Sequence, residues 1–332
     1  MCLIEYEDVV CCKSNLEYED EEDGDGCDCK SNKMRLLTMA TGILVNSWDD
    51  MEPVALAALK HEAFFANIPT PPVYPIGPLT RRKEPEDSCK QIITWLDKQP
   101  KESVLFVTLG SGGTLTSEQL TELAWGLELS QQRFILVVRK PSDCASSAFF
   151  SAGGDEEDPI VYLPNGFVQR TNHVGLVVSC WAPQVAVLQH ESTGAFLSHC
   201  GWNSTMECVK HGVPMIAWPM YAEQSMNATM LSDEVGVAMK MPVVGEGGET
   251  LVVGRKEIER VVRVVLESEQ GRKLRNRAKE LEVSGRETLS RDGSSNQTLT
   301  RVVESWKLGN NTSTEYASRE ETRATFALVC YK

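Results

Sequence analysis

Residues 181–224 read WAPQVAVLQHESTGAFLSHCGWNSTMECVKHGVPMIAWPMYAEQ, and within them short apolar runs alternate with helical ones. Gly194–Ser198 and Pro214–Trp218 are typical of buried strands, because each is a short and mostly apolar run. Ser204–Lys210, which lies between them, has the pattern of a helix, and a shorter helix is predicted near Val185–Leu188. Strands separated by helices form parallel sheets, so this stretch predicts an α/β fold.

The same alternation continues on both sides of this stretch. Four further strands are predicted at Ser103–Leu109, Arg133–Val138, Gly175–Ser179 and Gly236–Met241. Further helices are predicted at Ser117–Leu129, at Glu223–Val235 and over a long charged region from Lys256 to about Leu289. Six strands with intervening helices predict a doubly wound parallel sheet over residues 90–289.

The segments outside this region differ from it in composition. Residues 1–33 combine acidic residues, Gly and Cys without periodicity, which predicts a solvated, disordered leader. Residues 34–70 contain one predicted strand and one predicted helix, and residues 71–89 form a Pro-rich segment typical of an interdomain linker. A final helix is predicted within residues 290–307, and residues 308–332 form a tail without a clear pattern.

The formal net charge of the 332-residue chain is −14, from 33 Lys and Arg against 47 Asp and Glu. Eleven of the acidic residues but only two basic ones lie in residues 1–30, so the rest of the chain is nearly balanced. A surface that binds nucleic acid needs clustered cations, and this composition argues against nucleic acid as a partner. The sequence opens without a signal peptide and has no apolar run long enough to span a membrane, so a cytoplasmic protein is expected.

Two predicted strands end in loops that suit a ligand. The first loop, Leu109–Thr114, reads LGSGGT, and the second, His199–Ser204, reads HCGWNS. Ligands of a doubly wound sheet bind beyond the carboxyl ends of its strands, where glycine permits close backbone approach and the amides of a helix start attract anions. A plain strand-to-helix turn explains the first loop equally well, and an isolated His such as His199 is more often structural. Asn203 or Ser204 is the predicted N-cap of the following helix.

Other polar side chains near these loops allow more than one interpretation. Glu207 lies one helical turn beyond Asn203, and its carboxylate suits a diol such as a ribose, although an ordinary exposed residue fits as well. Cys200 invites a phosphatase interpretation, but no Arg follows at the required spacing. Cys27 and Cys29 in the leader lack a second pair at zinc-finger spacing, so no metal site is expected.

Residues 181–224 closely resemble the signature box of plant UDP-dependent glycosyltransferases that act on secondary metabolites, over its full length and without a gap. The resemblance extends to GILVNSWDDMEP, PPVYPIGPL, VTLGSGGTLTSEQLTELAWGLELSQQRF, LPNGFVQRT and the terminal DGSS, and it covers about Met34 to Lys307. The segment GSGGTLTSEQ looks most like the subgroup that glucosylates hydroquinone and monolignols.

The resemblance implies a GT-B fold, in which a C-terminal Rossmann-like domain binds the UDP-sugar and an N-terminal one binds the acceptor. It implies that Trp181 stacks on the uracil, that the backbone of Ala182 contacts the uracil edge, and that Gln184 and Glu207 hold the ribose. The remaining implied donor contacts are Ser111, His199, Asn203 and Ser204 at the diphosphate, and Trp202, Glu223 and Gln224 at the hexose. Gln at the position of Gln224 goes with glucose in this family, so UDP-glucose is the expected donor substrate, and no metal or other cofactor is expected.

The family reaction also needs a general-base His near the amino terminus, oriented by an Asp. This chain has five His, at positions 61, 173, 190, 199 and 211, so none precedes residue 61 and the catalytic pair is unassigned. The expected architecture is therefore one complete Rossmann-like C-terminal domain with a remnant of the N-terminal domain in residues 34–70. The chain is expected to be an N-terminally truncated member of the family.

Two hypotheses about function follow. The first is inverting transfer of glucose from UDP-glucose to a hydroxyl of a small phenolic or flavonoid acceptor. The second is a UDP-sugar-binding fragment or pseudoenzyme that performs no transfer. An NAD-dependent oxidoreductase is disfavoured, because the sequence has no G-x-G-x-x-G fingerprint. The acceptor, the oligomeric state and any protein partner are not specified by these motifs.

Overall fold

The computed structural model describes residues 9–11, 42–60, 71–80, 90–110, 112–142, 158–179, 181–221, 223–243, 251–312 and 326–329. These residues fall into two units, unit 1 within residues 1–79 and 283–332 and unit 2 within residues 80–282.

The described strands are, in chain order, β1 (Val9–Cys11), β2 (Gly42–Val45), β3 (Val73–Pro75), β4 (Val104–Thr108), β5 (Arg133–Val138), β6 (Gly175–Ser179), β7 (Thr193–Ser198), β8 (Met215–Ala217), β9 (Ala238–Lys240) and β10 (Phe326–Val329). The described α-helices are α1 (Pro53–Lys60), α2 (Lys90–Leu96), α3 (Ser117–Ser130), α4 (Phe167–Thr171), α5 (Gln184–Gln189), α6 (Trp202–Lys210), α7 (Gln224–Thr229), α8 (Arg255–Glu267), α9 (Glu269–Thr288) and α10 (Ser294–Thr312). None of the helices in the described ranges is both long and apolar enough to cross a membrane.

Unit 2 is built on a six-stranded sheet with the order β6-β5-β4-β7-β8-β9. All of its strand pairs are parallel, which confirms the predicted doubly wound sheet. The chain runs outward from β4 through β5 to β6 and then returns to β7 on the other side of β4. β4 and β7 therefore lie side by side at the centre, although they are distant in sequence.

The core of unit 2 lies on both faces of this sheet. Every residue of β4 is buried, as expected for a central strand covered by helices on both sides. The rings of Phe106 and Phe196 stack at 5.2 Å between centroids and join β4 to β7. α3 packs closely on α8 at Gly126, where a Cβ would stand 2.6 Å from the Cβ of Ile258.

Two predicted helices differ in detail from those observed. The long charged region divides into α8 and α9 at Ser268, which has extended backbone angles. The hydroxyl of Ser268 accepts a hydrogen bond from the backbone N–H of Gly271 at 3.2 Å, so a serine cap starts a new helix there. The predicted helix over Glu223–Val235 is α7 continued by a π-helical segment at Met230–Glu234.

Unit 1 contains a four-stranded sheet with the order β1-β10-β2-β3, in which all strand pairs are parallel. β1 comes from the leader, where the composition predicts disorder, and β10 comes from the tail, where no pattern is predicted. Short runs of apolar residues, VVC and FALV, form these strands, since such runs favour strand pairing even inside a polar segment. The rest of residues 1–33 lies outside the described residues.

The core of unit 1 joins its sheet to the end of α9 and to α10. Leu44, Ile76 and Val302 form a buried apolar cluster. The indole N–H of Trp48 donates to the hydroxyl of Ser284 at 3.0 Å, so the segment after β2 is bound to the last turns of α9. Unit 2 begins at Thr80, inside the Pro-rich segment 71–89 that the composition predicts to be a linker.

Candidate functional site

The carboxyl ends of β4 and β7 form the floor of the candidate site. Thr108 and Ser198, the last residues of these strands, are opposite one another in the parallel pairing. The two predicted ligand loops therefore follow neighbouring strands at the same edge of the sheet. The strand order reverses between β4 and β7, and ligands of doubly wound sheets bind at such a point.

His199 lies between glycines of the two loops. A Cβ on Gly110 would stand 2.5 Å from Cε1 of His199, and one on Gly201 would stand 2.4 Å from its Nε2. Gly110 also has a φ of +77°, which side-chain-bearing residues rarely adopt. Glycine is therefore required at both positions for the imidazole to fit.

The imidazole of His199 is neutral at physiological pH. Burial lowers its pKa from 6.5 to about 4, because desolvation disfavours the charged ring. The hydroxyl of Ser198 lies 3.5 Å from Nδ1. A neutral imidazole still donates one hydrogen bond, so His199 suits an anionic ligand oxygen that it does not need to neutralise.

Helix α6 starts beside this histidine. Its N-cap is Gly201 and its first residue is Trp202, so the prediction that Asn203 or Ser204 caps the helix is wrong. The chain turns earlier because Cys200 adopts a φ of +65°. The cap residue Gly201 has no side chain that could accept from the first-turn amides, and amides at a helix start are groups that bind anions. Asn203 is exposed in this first turn, whereas the indole of Trp202 is buried.

Gln184, Ser204 and Glu207 form one hydrogen-bonded group. The side-chain amide of Gln184 donates to Oε2 of Glu207 at 2.7 Å and to the hydroxyl of Ser204 at 3.0 Å. Gln184 is the first residue of α5, and the other two lie one turn apart in α6. The amide thus orients a carboxylate, which is an acceptor for the two hydroxyls of a diol.

Trp181 and Ala182 follow β6 at the same edge of the sheet. The backbone N–H of Trp181 donates to the carbonyl of Ser179 at 2.8 Å, which turns the chain out of the strand. The side chain of Trp181 is 45% exposed, whereas Ala182 is buried. An exposed indole offers a stacking surface for a planar ring.

Gln224 and Glu223 lie at the start of α7 in different environments. The side-chain oxygen of Gln224 accepts from the backbone N–H groups of Met220 at 2.9 Å and Tyr221 at 3.2 Å. Burial raises the pKa of Glu223, and its Oε1 is buried with no hydrogen-bond partner in the part of the chain that the structure describes. Because an unpartnered buried acceptor costs free energy, this oxygen suits a hydrogen bond from a ligand.

The predicted residue Ser111 lies outside the described residues, but the backbone on both sides of it is described. Arg139, which the sequence analysis did not single out, donates from Nη1 to the carbonyls of Gly113 at 3.1 Å and Gly110 at 3.4 Å. Asn227 was also missed, and its amide donates to the carbonyl of Cys200 at 2.9 Å. A signal for Arg139 existed, because it directly follows a predicted parallel strand and so lies at the edge where doubly wound sheets bind their ligands.

The thiol of Cys200 does not suit a nucleophile. It is fully buried, and burial raises its pKa to about 12, so it stays protonated at neutral pH. This agrees with the sequence argument against a phosphatase. Among the described residues, no group of three His, Cys, Asp or Glu side chains is placed to hold a metal ion.

Comparison with known proteins relates this geometry to a family. The sequence model of the family described as UDP-glucoronosyl and UDP-glucosyl transferase matches residues 55–247, which is more than half of the chain. The chain belongs to this family. The match includes both loops, Trp181 and the Gln184 group, and so confirms the family resemblance that the sequence motifs predict.

Two curated plant relatives in this UDP-glycosyltransferase family are similar to the chain. Anthocyanidin 3-O-glucosyltransferase 5 of Manihot esculenta is 48% identical over 269 residues, which are 81% of this chain and 55% of that protein. Hydroquinone glucosyltransferase of Rauvolfia serpentina is 43% identical over 297 residues, which are 89% of this chain and 61% of that protein. The chain thus spans little more than half the length of the curated relatives it matches.

A solved structure gives the fold class of this glycosyltransferase-family chain. The structure of Phytolacca americana UGT2 complexed with UDP-2fluoro-glucose and pterostilbene matches with a TM-score of 0.71 and 43% sequence identity. The match covers 82% of this chain and 56% of that one. The prediction of a GT-B type α/β fold is confirmed by this likeness.

Proposed function

We propose that unit 2 binds UDP-glucose and that the protein transfers glucose from it to a hydroxyl of a small phenolic or flavonoid acceptor, with inversion at the anomeric carbon. The observation that carries the proposal is the hydrogen bond from Gln184 to Glu207, which joins α5 to α6. A carboxylate oriented by an amide is the acceptor that a ribose diol requires. The names of the two relatives, which both state glucosyl transfer, support this choice.

Each part of the donor has a proposed contact in unit 2. Trp181 stacks on the uracil beside the backbone of Ala182, and Gln184 with Glu207 holds the ribose. The diphosphate is held by Ser111, His199, Asn203 and Ser204, and the hexose by Trp202, Glu223 and Gln224. The indole of Trp202 is 1% exposed, so its contribution is to shape the wall of the site rather than to present a free face.

The proposed reaction forms one bond and breaks another at the anomeric carbon. The acceptor oxygen forms a bond to this carbon from the face opposite the diphosphate, and the bond from carbon to the diphosphate oxygen breaks with its electron pair. A general base takes the hydroxyl proton, and this base is unassigned. Neutral His199 and the dipole at the start of α6 stabilise the charge that develops on the leaving diphosphate.

A second candidate function is binding of UDP-glucose without transfer. It is favoured by the positions of His190 and His199. His190 contacts Asp97 at 3.1 Å, but this pair lies just before β7 and β4, at the opposite end of the strands from the site. His199 belongs to the donor loops, and His61 lies outside the described residues.

Calorimetry and a turnover assay on the purified protein separate these candidates. The first candidate predicts binding of UDP and UDP-glucose and formation of a β-glucoside from hydroquinone or a flavonol, detected by chromatography and NMR. Binding without product supports the second candidate. Absence of binding to both nucleotides contradicts both candidates.

We also propose that donor binding needs no metal ion and that the protein is cytoplasmic. Titrations with UDP in EDTA and in excess Mg²⁺ test the first point, and equal affinities are expected. Two buried free thiols, Cys200 and Cys208, support the second point, because free thiols persist in reducing compartments. Imaging of fluorescent fusions at either terminus in plant cells tests it.

A further inference from the structure

One guanidinium nitrogen joins both ends of the glycine loop that follows β4. Nη1 of Arg139 lies 3.1 Å from the carbonyl oxygen of Gly113 and 3.4 Å from that of Gly110. Arg139 is the first residue after β5, which pairs directly with β4. The bonds therefore connect the ends of two neighbouring strands across the ligand-binding edge.

Gly110 and Gly113 have no side chains to hold them in place, but both pack closely on neighbouring residues. Gly110 packs on the ring of His199, and a Cβ on Gly113 would stand 2.8 Å from the sulfur of Met220. Glycine has the largest backbone freedom of any residue, so a loop rich in glycine needs bonds from outside to keep one conformation. Arg139 provides two such bonds.

These bonds also set the direction of the loop amides. The carbonyl of Gly113 and the N–H of Thr114 belong to one trans peptide group and point in opposite directions. Since the carbonyl is directed at Arg139, the N–H of Thr114 is directed away from it. The hydroxyl of Thr114 is buried and has no hydrogen-bond partner among the described residues.

We infer that Arg139 is a positioning residue for the diphosphate of the donor. It holds the backbone of Gly110 and of Gly113 in the positions that receive the diphosphate, and it makes no contribution to recognition of the uridine. The inference rests on the proposed binding of UDP-glucose and adds to it a residue that acts through the loop backbone.

The test compares UDP with uridine, which lacks the diphosphate. Affinities of both ligands are measured by calorimetry and ligand-observed NMR for the wild type, Arg139→Met, Arg139→Lys and Arg133→Met. Arg139→Met is expected to bind UDP about tenfold more weakly and uridine unchanged, since each lost bond involves a charged donor. Arg139→Lys is expected to fall between Arg139→Met and the wild type. The control, Arg133→Met, removes a cation from the opposite end of β5 and is expected to leave both affinities unchanged.

The ratio of UDP affinity to uridine affinity decides the outcome. An unchanged ratio in Arg139→Met overturns the inference, because a purely structural role lowers both affinities together. If Arg139→Met does not fold, as judged by circular dichroism, Arg139→Lys and Arg139→Gln carry the same test. A wild type that binds neither ligand contradicts the proposed function itself, which distinguishes the two failures.

Discussion

The side-chain amide of Gln184 donates to the carboxylate of Glu207 at 2.7 Å, and the bond joins the start of α5 to α6. Gln184 is therefore a neutral partner of this carboxylate, and its amide also donates to Ser204. A carboxylate accepts several hydrogen bonds, so a bond from one amide leaves capacity for further donors. This arrangement favours hydroxyl groups of a ligand over a second anion at this point of the site.

Glu207→Gln should weaken binding of UDP about tenfold, which corresponds to about 1.4 kcal/mol. The amide replaces a charged acceptor of the ribose hydroxyls and meets the amide of Gln184. UDP that lacks both ribose hydroxyls should bind the variant and the wild type equally. Calorimetry with both ligands measures the difference, and exposed Glu234→Gln is the control. Equal losses for the two ligands would contradict ribose recognition by Glu207.

Gly110→Ala should abolish measurable UDP binding and lower stability by about 1–2 kcal/mol or more, because the residue has a positive φ. The added Cβ also collides with the imidazole of His199 and displaces it. Gly254→Ala is the matched control, since a Cβ there meets nothing within 4 Å. Urea unfolding and UDP titration of both variants provide the measurement. Normal UDP affinity in Gly110→Ala would show that this loop does not bind the diphosphate.

The stability of the protein should depend on pH through His199. Its pKa is about 4 in the folded protein against an ordinary value of 6.5, so between these values the unfolded chain binds more protons. Stability therefore rises as the pH rises from 4 to 6.5 and is constant above that range as far as this group is concerned. On acidification from pH 7 to pH 4.5, the wild type should lose about 2 kcal/mol more than His199→Gln. Urea unfolding at both pH values measures this, and equal losses would refute a buried, neutral His199.

Glu223→Gln should stabilise the free protein at pH 7 and reduce its preference for UDP-glucose over UDP. The raised pKa of Glu223 reflects a carboxylate whose charged form is desolvated, and the charge destabilises the fold above that pKa. Removing the charge should raise stability by about 1 kcal/mol, measured by thermal unfolding. Titrations with UDP-glucose and UDP measure the preference. A less stable variant with an unchanged preference would assign Glu223 a structural role.

The local pattern of apolar and polar residues accounts for most of the strands and helices in unit 2. Apolar runs such as Arg133–Val138 and Gly175–Ser179 coincide with β5 and β6, because strands of a parallel sheet carry little polar alternation. The predicted helix bounds were wrong where a neighbouring residue changed the backbone conformation. The positive φ of Cys200 moved the start of α6 to Trp202, and Ser268 divided one predicted helix into two.

The donor residues were predicted by resemblance, and their contacts were not. The resemblance pairs Gln184 with Glu207 at the ribose, but the hydrogen bond between them depends on the packing of α5 beside α6. Arg139 was absent from the prediction because its bonds go to backbone carbonyls, which any residue at the loop positions would present. The strands β1 and β10 were missed because their pairing joins the two ends of the chain.

The sequence by itself determined the family, the succession of strands and helices along the chain, and the residue types at the two loops. These features are encoded locally, in apolar runs, glycine turns and the motif of residues 181–224. Only the tertiary structure decided that β4 lies beside β7, so that Gly110 and Gly201 enclose His199 and burial makes its imidazole neutral. The order of the strands within the sheet and the burial of side chains arise from contacts between distant segments. The free energies of those contacts are properties of the assembled sheet rather than of any one segment.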